Sequence, residues 1–250
     1  MSNQISSELA SLLNKTYPSQ FWLPPENGDS ESTDNMARVI REVLNVLETS
    51  PWDAYKIFQI PKKNGRFRII HAPQWDALMG IWEHGKVISK LAHIQSKIWE
   101  LLSRVPLPRE ICAFRNGYDG LSYLRESLQM WKNLYQAPSE LQVKGLYKID
   151  IRNFFWSIPE ESVRRVLHEK LWPESPSRLS SKAIEALCKI CCYNGTLTQW
   201  PPSSPAIANL VWYQDIDKHL LPKMRVVWSH NKPSTWSWLR YMRYADDIIV

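Results

Sequence analysis

Tyr241-Met-Arg-Tyr-Ala-Asp-Asp-Ile-Ile-Val250 is the stretch on which the reading of this chain turns. Two adjacent carboxylates, Asp246 and Asp247, separate the β-forming residues Tyr241–Ala245 from the apolar run Ile248–Val250. That pattern predicts a hairpin with the acidic pair at its tip. Adjacent aspartates on a tight turn offer the hard oxygen ligands that divalent cations take. An ordinary polar turn uses the same two residues. The decision therefore rests on whether the chain also supplies a third carboxylate, phosphate-binding cations and a nucleotide pocket.

A third carboxylate stands upstream, in Gly145-Leu-Tyr-Lys-Ile-Asp-Ile-Arg-Asn-Phe-Phe-Trp-Ser-Ile-Pro159. Leu146–Ile151 alternates as a strand does, and Asp150 ends it beside the bulky Phe154-Phe155-Trp156. An acid among apolar neighbours is costly unless a cation or a hydrogen-bond donor meets it. Cations come from Tyr55–Ile60 and Phe67–Ile70, two β-rich runs flanking Lys62-Lys63-Asn64-Gly65-Arg66. Asn-Gly is a strong hairpin signal. Such a tip is either a solvated basic turn or a means of presenting Lys62 and Arg68 to a triphosphate, one as a point charge and the other as a fork. Between these segments, Asn194-Gly-Thr-Leu-Thr-Gln-Trp-Pro-Pro-Ser-Ser-Pro205 forms a proline-rich loop leading into an apolar helix, Ala206–Leu221. Ser203 or Ser204 is the expected cap of that helix, with Pro205 in its first turn.

The remainder reads as mainly helical. Ile5, Leu9, Leu12 and Leu13 predict a short amphipathic helix within residues 1–20, and the polar, turn-rich segment Pro24–Thr33 a linker. Met36, Val39, Ile40, Val43, Leu44 and Leu47 predict a second helix capped by Thr33 or Asp34. Further helices are expected over residues 76–104, 121–135, 160–171 and 181–193. In the first of these, Ile88, Leu91, Ile94, Gln95, Ile98, Leu101 and Leu102 form the core stripe. Cys188, Cys191 and Cys192 fall on the last helix with no second pair or nearby histidine. They read as buried thiols in a reducing compartment, as does Cys112, rather than as a zinc set.

Composition agrees with a globular chain: 250 residues, 44% hydrophobic and 22% charged. A net charge of +6 and a pI near 9.1 suit a polyanionic partner. No window approaches the roughly 18 uninterrupted apolar residues of a membrane span, and the N-terminus carries no secretory signal pattern. The expectation is a cytoplasmic protein with no membrane partner. Thirteen tryptophans are dispersed without period, as core packing residues or base-stacking platforms.

Taken in order, the four blocks resemble the reverse transcriptases, and the bacterial branch (retron, group II intron and phage-defence types) more than the retroviral one. Ile60-Pro-Lys-Lys-Asn-Gly-Arg-Phe-Arg68 looks like the fingers hairpin, and Lys148–Ile158 like the first catalytic block. Gly195–Pro205 looks like the nucleotide-pocket block, and Arg243–Asp247 like the second catalytic block. The resemblance covers about residues 50–250 and implies an α+β fold: right-hand fingers and palm with an antiparallel palm sheet. Residues 1–50 would form a helical extension, 51–145 the fingers and 146–250 the palm. It also implies an RNA-directed DNA polymerase working on an RNA template, a DNA or RNA primer and deoxynucleoside triphosphates. Asp150, Asp246 and Asp247, with the carbonyl of Ile151, would hold two Mg²⁺ ions, Mn²⁺ being the alternative. Lys62 and Arg68 would face the β- and γ-phosphates, Gln199 the incoming nucleotide, and Phe155 would be the steric gate against a ribose 2′-hydroxyl.

Two departures qualify the resemblance. Where the family has Leu-Pro-Gln-Gly, this chain has Leu197-Thr-Gln-Trp200, and tryptophan lacks the backbone freedom of glycine. The sequence also ends three residues beyond Asp247. The thumb is therefore expected to be absent from this chain, supplied by a continuation or by a second chain, with a structured non-coding RNA as a further partner. A catalytically impaired RNA-binding scaffold and a template-independent or protein-primed polymerase remain the alternatives.

Overall fold

The computed structural model describes residues 3–14, 29–62, 65–73, 81–83, 86–114, 119–135, 147–171, 179–224 and 241–250. In chain order it has α1 (Asn3–Asn14), α2 (Asp29–Thr49), α3 (Pro51–Ala54), β1 (Tyr55–Pro61), β2 (Phe67–Pro73), β3 (Ile81–Glu83), β4 (Lys86–Ile88) and α4 (Lys90–Leu102). There follow α5 (Gly120–Tyr135), β5 (Lys148–Asp150), α6 (Glu160–Leu171), α7 (Ser181–Cys191), β6 (Cys192–Tyr193) and β7 (Thr196–Leu197). The chain continues through α8 (Ser204–Trp212), a π-helical turn (Tyr213–Asp217), α9 (Lys218–Met224), β8 (Met242–Tyr244) and β9 (Asp247–Ile249). Helices and antiparallel strands thus alternate along the chain, an α+β arrangement. Among the described residues, no helix is long and apolar enough to cross a membrane.

Two compact units result: Met1–Leu102 with Phe155–Ile207, and Ser103–Phe154 with Ala208–Val250. In the first, α1, α2, α4 and α7 pack on one another because each carries one apolar stripe. Ile5, Leu9, Leu12 and Leu13 of α1 meet Met36, Val39, Ile40, Val43 and Leu44 of α2 in a core completed by Leu91, Ile94, Ile98 and Leu187. Each such side chain contributes about 1.5–3 kcal/mol relative to exposure. The one polar member of the α4 stripe, Gln95, donates through Nε2 to Tyr55 Oη and to the carbonyl of Ile190, both at 2.8 Å, while its buried Oε1 has no hydrogen-bond partner among the described residues. All four cysteines are buried and free. Burial pushes Cys188 and Cys191 up to about 12, so both remain protonated thiols at neutral pH.

In the second unit the sheet order is β5-β9-β8, antiparallel throughout. The register places Lys148, Asp150, Met242, Tyr244, Asp247 and Ile249 on one face. There Met242, Tyr244 and Ile249 pack with Cys112 against Tyr123, Leu124 and Leu128 of α5. On the other face Tyr241 and Ile248 pack with Ile111 and Leu221, joined by Tyr213 and Ile151. Gly120 opens α5 where the chain passes so close to Cys112 that an added Cβ would lie 1.5 Å from its carbonyl oxygen. Only glycine fits there. Asp119 caps that helix by accepting the Ser122 N–H at 3.0 Å, and its contacts with Ser122 hold its carboxyl below the usual range.

Four expected element boundaries are corrected. Ile81–Glu83 and Lys86–Ile88 are not helical: they pair as β3 and β4, and α4 starts only after Ser89, whose Oγ accepts the Ala92 N–H at 3.0 Å. Residues 76–80 lie outside the described residues. Helix α2 starts at Asp29, ahead of Thr33 and Asp34, since no glycine or proline in 29–34 interrupts it. Helix α7 stops at Cys191, because Asn194 and Gly195 both take positive φ (50° and 74°) and turn Cys192-Tyr193 back onto Thr196-Leu197. The expected single helix Ala206–Leu221 starts at Ser204 and is broken by the π-turn at Tyr213–Asp217. Lys63 and Asn64, on which the basic hairpin turn was read, fall outside the described residues. The strands on either side pair from Tyr55↔Pro73 to Pro61↔Phe67 as the pattern required.

Candidate active site

In the second unit the sheet brings the three aspartates to one end. Asp150 ends β5 and lies directly opposite Asp247, the first residue of β9, so both carboxylates leave the same face. Asp246 sits in the turn before β9, and its carbonyl accepts the Ile151 N–H at 2.8 Å. The acidic pair is therefore split, with Asp246 on the tip and Asp247 already in the strand. The pairing is extended past the strand ends by reciprocal bonds between Tyr147 and Val250, at 2.9 and 3.0 Å. The turn requires a positive φ at Ala245 (55°), a conformation that costs a non-glycine residue on the order of 1 kcal/mol.

Like charges directly opposite on neighbouring strands repel. A cation on this face meets Asp247: Lys148 Nζ lies 2.8 Å from its Oδ2. Its hydrogen bond and charge interaction with Asp247 raise the Lys148 pKa above the ordinary lysine value. Hard oxygen donors held in register fit Mg²⁺ or Mn²⁺ in type, and a divalent cation would relieve the Asp150–Asp247 opposition. Among the described residues, no three His, Cys, Asp or Glu side chains close around a common point.

Behind the turn lies a feature that sequence reading left without a role. Arg243 is fully buried on the face opposite the carboxylates, as is Asp217. They pair at 2.7 Å between Nη2 and Oδ2. Asn209 and Tyr241 complete the group. The burial of Tyr241, together with the charge of Asp217, raises its phenol pKa well above the ordinary value. The available signal was Asn209 within the apolar run Ala206–Trp212, with Asp217 eight residues further on.

The other candidate residues lie in the first unit. Lys62 follows β1, bonded through its backbone N–H to the Arg66 carbonyl at 2.7 Å, and Arg68 pairs with Ile60 on the exposed hairpin. The carbonyl of Gln199 accepts the N–H of His71 at 3.1 Å, tying β2 to the Thr198–Trp200 segment. The His71 ring is buried against Trp156 and Tyr193, at 4.6 and 5.4 Å between centroids, and burial lowers its pKa. Phe155 is half-buried, next to a fully packed Phe154.

Trp200 has φ +97° and is 64% exposed. The backbone keeps a glycine-like conformation although the residue is tryptophan, at a cost of about 1–3 kcal/mol. Trp200→Gly is expected to raise unfolding free energy by about 1 kcal/mol or more without altering the loop. A denaturant titration checks this.

No family model matches the chain. The chain is 28% identical over 178 residues to the retron Ec86 reverse transcriptase of Escherichia coli, covering 70% of this chain and 45% of that protein. The chain is related to a reverse transcriptase. This reverse transcriptase-related chain spans less than half the length of that relative.

Proposed function

We propose that the chain is the fingers and palm portion of an RNA-directed DNA polymerase, of retron or anti-phage defence type. The observation that carries this reading is the register that sets Asp150 opposite Asp247, with Asp246 on the adjoining turn. Relatedness to a retron reverse transcriptase supports it. Residues 51–145 would serve as fingers and 146–250 as palm, preceded by the helical extension 1–50.

The reaction joins the primer 3′-oxygen to the α-phosphorus of a deoxynucleoside triphosphate and releases pyrophosphate. Asp150, Asp246 and Asp247, with the Ile151 carbonyl, would hold two Mg²⁺ ions. Bound there, such ions supply a lowered pKa at the primer hydroxyl and charge neutralisation at the leaving group. Lys62 and Arg68 offset charge on the β- and γ-phosphates, one as a mobile ammonium and one as a planar fork. Gln199 contacts the incoming nucleotide, and the Phe155 ring excludes a 2′-hydroxyl. Lys148 would exchange its hold on Asp247 for a neighbouring phosphate or carboxylate as the site fills. The partners are an RNA template, its primer, a structured non-coding RNA and whichever segment supplies the thumb.

Primer extension on an RNA template tests this, with the chain alone and with the products of neighbouring reading frames. The expected result is Mg²⁺-dependent, template-directed incorporation of deoxynucleotides that chelation abolishes. No incorporation under either condition would instead make the chain an RNA-binding scaffold. Incorporation that ignores template sequence would make it a template-independent polymerase.

A further inference from the structure

Arg243 precedes Asp246 by three residues, yet its side chain points into the core and has no exposed surface. Burying a guanidinium costs several kcal/mol unless every N–H finds an acceptor. Here all five do. Nε donates to Asp217 at 3.0–3.1 Å. Nη2 donates to Asp217 Oδ2 at 2.7 Å and to the Asn209 carbonyl at 3.4 Å. Nη1 donates to Asn209 Oδ1 and to the carbonyl of Ala245, both at 3.1 Å. Asp217 also accepts the Tyr241 hydroxyl.

Stability alone does not account for this arrangement, because a well-packed apolar pair commonly does as well as a buried ion pair. What distinguishes the network is what it grips. The Ala245 carbonyl belongs to the strained turn immediately before Asp246 and Asp247. The guanidinium carbon also lies 5.8 Å from the centroid of Phe154, four residues after Asp150. Phe154 is held in turn by Trp212, stacked at 5.7 Å, whose Nε1 donates to the Phe154 carbonyl at 3.3 Å. One buried cation thus touches both carboxylate-bearing segments. The Arg243 backbone is pinned as well, through Glu110 and Cys112 at 2.9 and 2.8 Å. Asp217 ends the π-helical turn, a local irregularity that tends to be kept where function requires it.

We infer that Arg243, locked by Asp217, is a positioning residue that clamps the Ala245–Asp247 turn and the Phe154 segment, presetting the carboxylates for divalent cations. This rests on the proposed polymerase reading. Lysine cannot replace it, since three donors on a point charge do not reach Asp217, Asn209 and Ala245 together.

The test uses the full chain and its Arg243→Lys, Asp217→Asn and paired Arg243→Met/Asp217→Leu variants. Three readouts apply: thermal unfolding, Mn²⁺ binding by paramagnetic resonance, and amide exchange across residues 241–250. The paired variant is expected to stay folded, with a Tm at or above the parent's, yet bind Mn²⁺ about 10–100-fold more weakly and exchange faster at the turn. Should it fail to fold, Arg243→Lys gives the same readouts with the charge retained. Mn²⁺ affinity within about twofold of the parent, together with unchanged exchange in a folded variant, overturns the clamp. A parent chain that binds Mn²⁺ through Asp246 but extends no primer would refute the polymerase reading and leave the clamp standing. Primer extension undiminished in the folded variants would do the reverse.

Discussion

Asp246→Asn is expected to cut template-directed incorporation by more than about a thousandfold, at least 4 kcal/mol of transition-state stabilisation, while leaving the chain folded. Asparagine has the same shape, and the structural bond at this residue, from the Ile151 N–H to the Asp246 carbonyl, is a backbone bond that the substitution does not touch. The change also removes negative charge next to a pair of carboxylates already opposed in register, Asp150 and Asp247. Relief of such repulsion is worth up to about 1 kcal/mol, so the Tm should hold or rise. Asp150→Asn should behave alike. Loss of turnover without loss of stability separates carboxylates kept for metal binding from carboxylates that merely finish a turn. Primer extension and thermal unfolding on the same preparation measure both. Activity near that of the parent in Asp246→Asn would sink the metal assignment.

The sequence made most of this site readable because period-2 alternation and an acidic turn specify register as well as strand. Met242–Tyr244 and Asp247–Ile249 pair across two residues, and β5 beside them sets Asp150 opposite Asp247. Helices with clean stripes, such as α1 and α6, were equally readable, since nothing else competes for Ile5, Leu9, Val163 or Leu167. Two of the misplaced helix ends had a common cause: local signals overruled a continuing hydrophobic pattern. Asn194-Gly195 ended α7 although the apolar period ran on into Cys192. Ser89 began α4 although Ile88 matched its stripe. The π-turn was unreadable for another reason. Its extra residue per turn is held by tertiary contacts, chiefly those Asp217 makes to Arg243 and Tyr241, and not by any propensity of Tyr213–Asp217 themselves. Arg243 was visible in the motif but received no role, because five satisfying acceptors from three separate segments leave no trace in spacing.

Phe155→Val should lower discrimination against ribonucleoside triphosphates by at least about a hundredfold while leaving deoxynucleotide incorporation within about tenfold of the parent. The family resemblance assigned the gate to Phe155 and gave Phe154 no role. In the structure the rings differ. Phe154 is 5% exposed and stacked on Trp212, so it is a core residue. Phe155 is half-buried, and its carbonyl accepts the Ile158 N–H at 3.1 Å, which fixes the backbone from which the ring projects. A half-buried ring on a fixed backbone suits exclusion of a hydroxyl, because a wall that yields does not discriminate. Valine retracts that wall while retaining a β-branched apolar surface. If Phe155 served packing alone, the same substitution would cost about 1–3 kcal/mol of stability and leave the sugar ratio where it was. The ratio of kcat/KM for matched deoxy- and ribonucleotides, read beside the Tm, therefore assigns the ring to one role or the other, and an unchanged ratio rejects the gate.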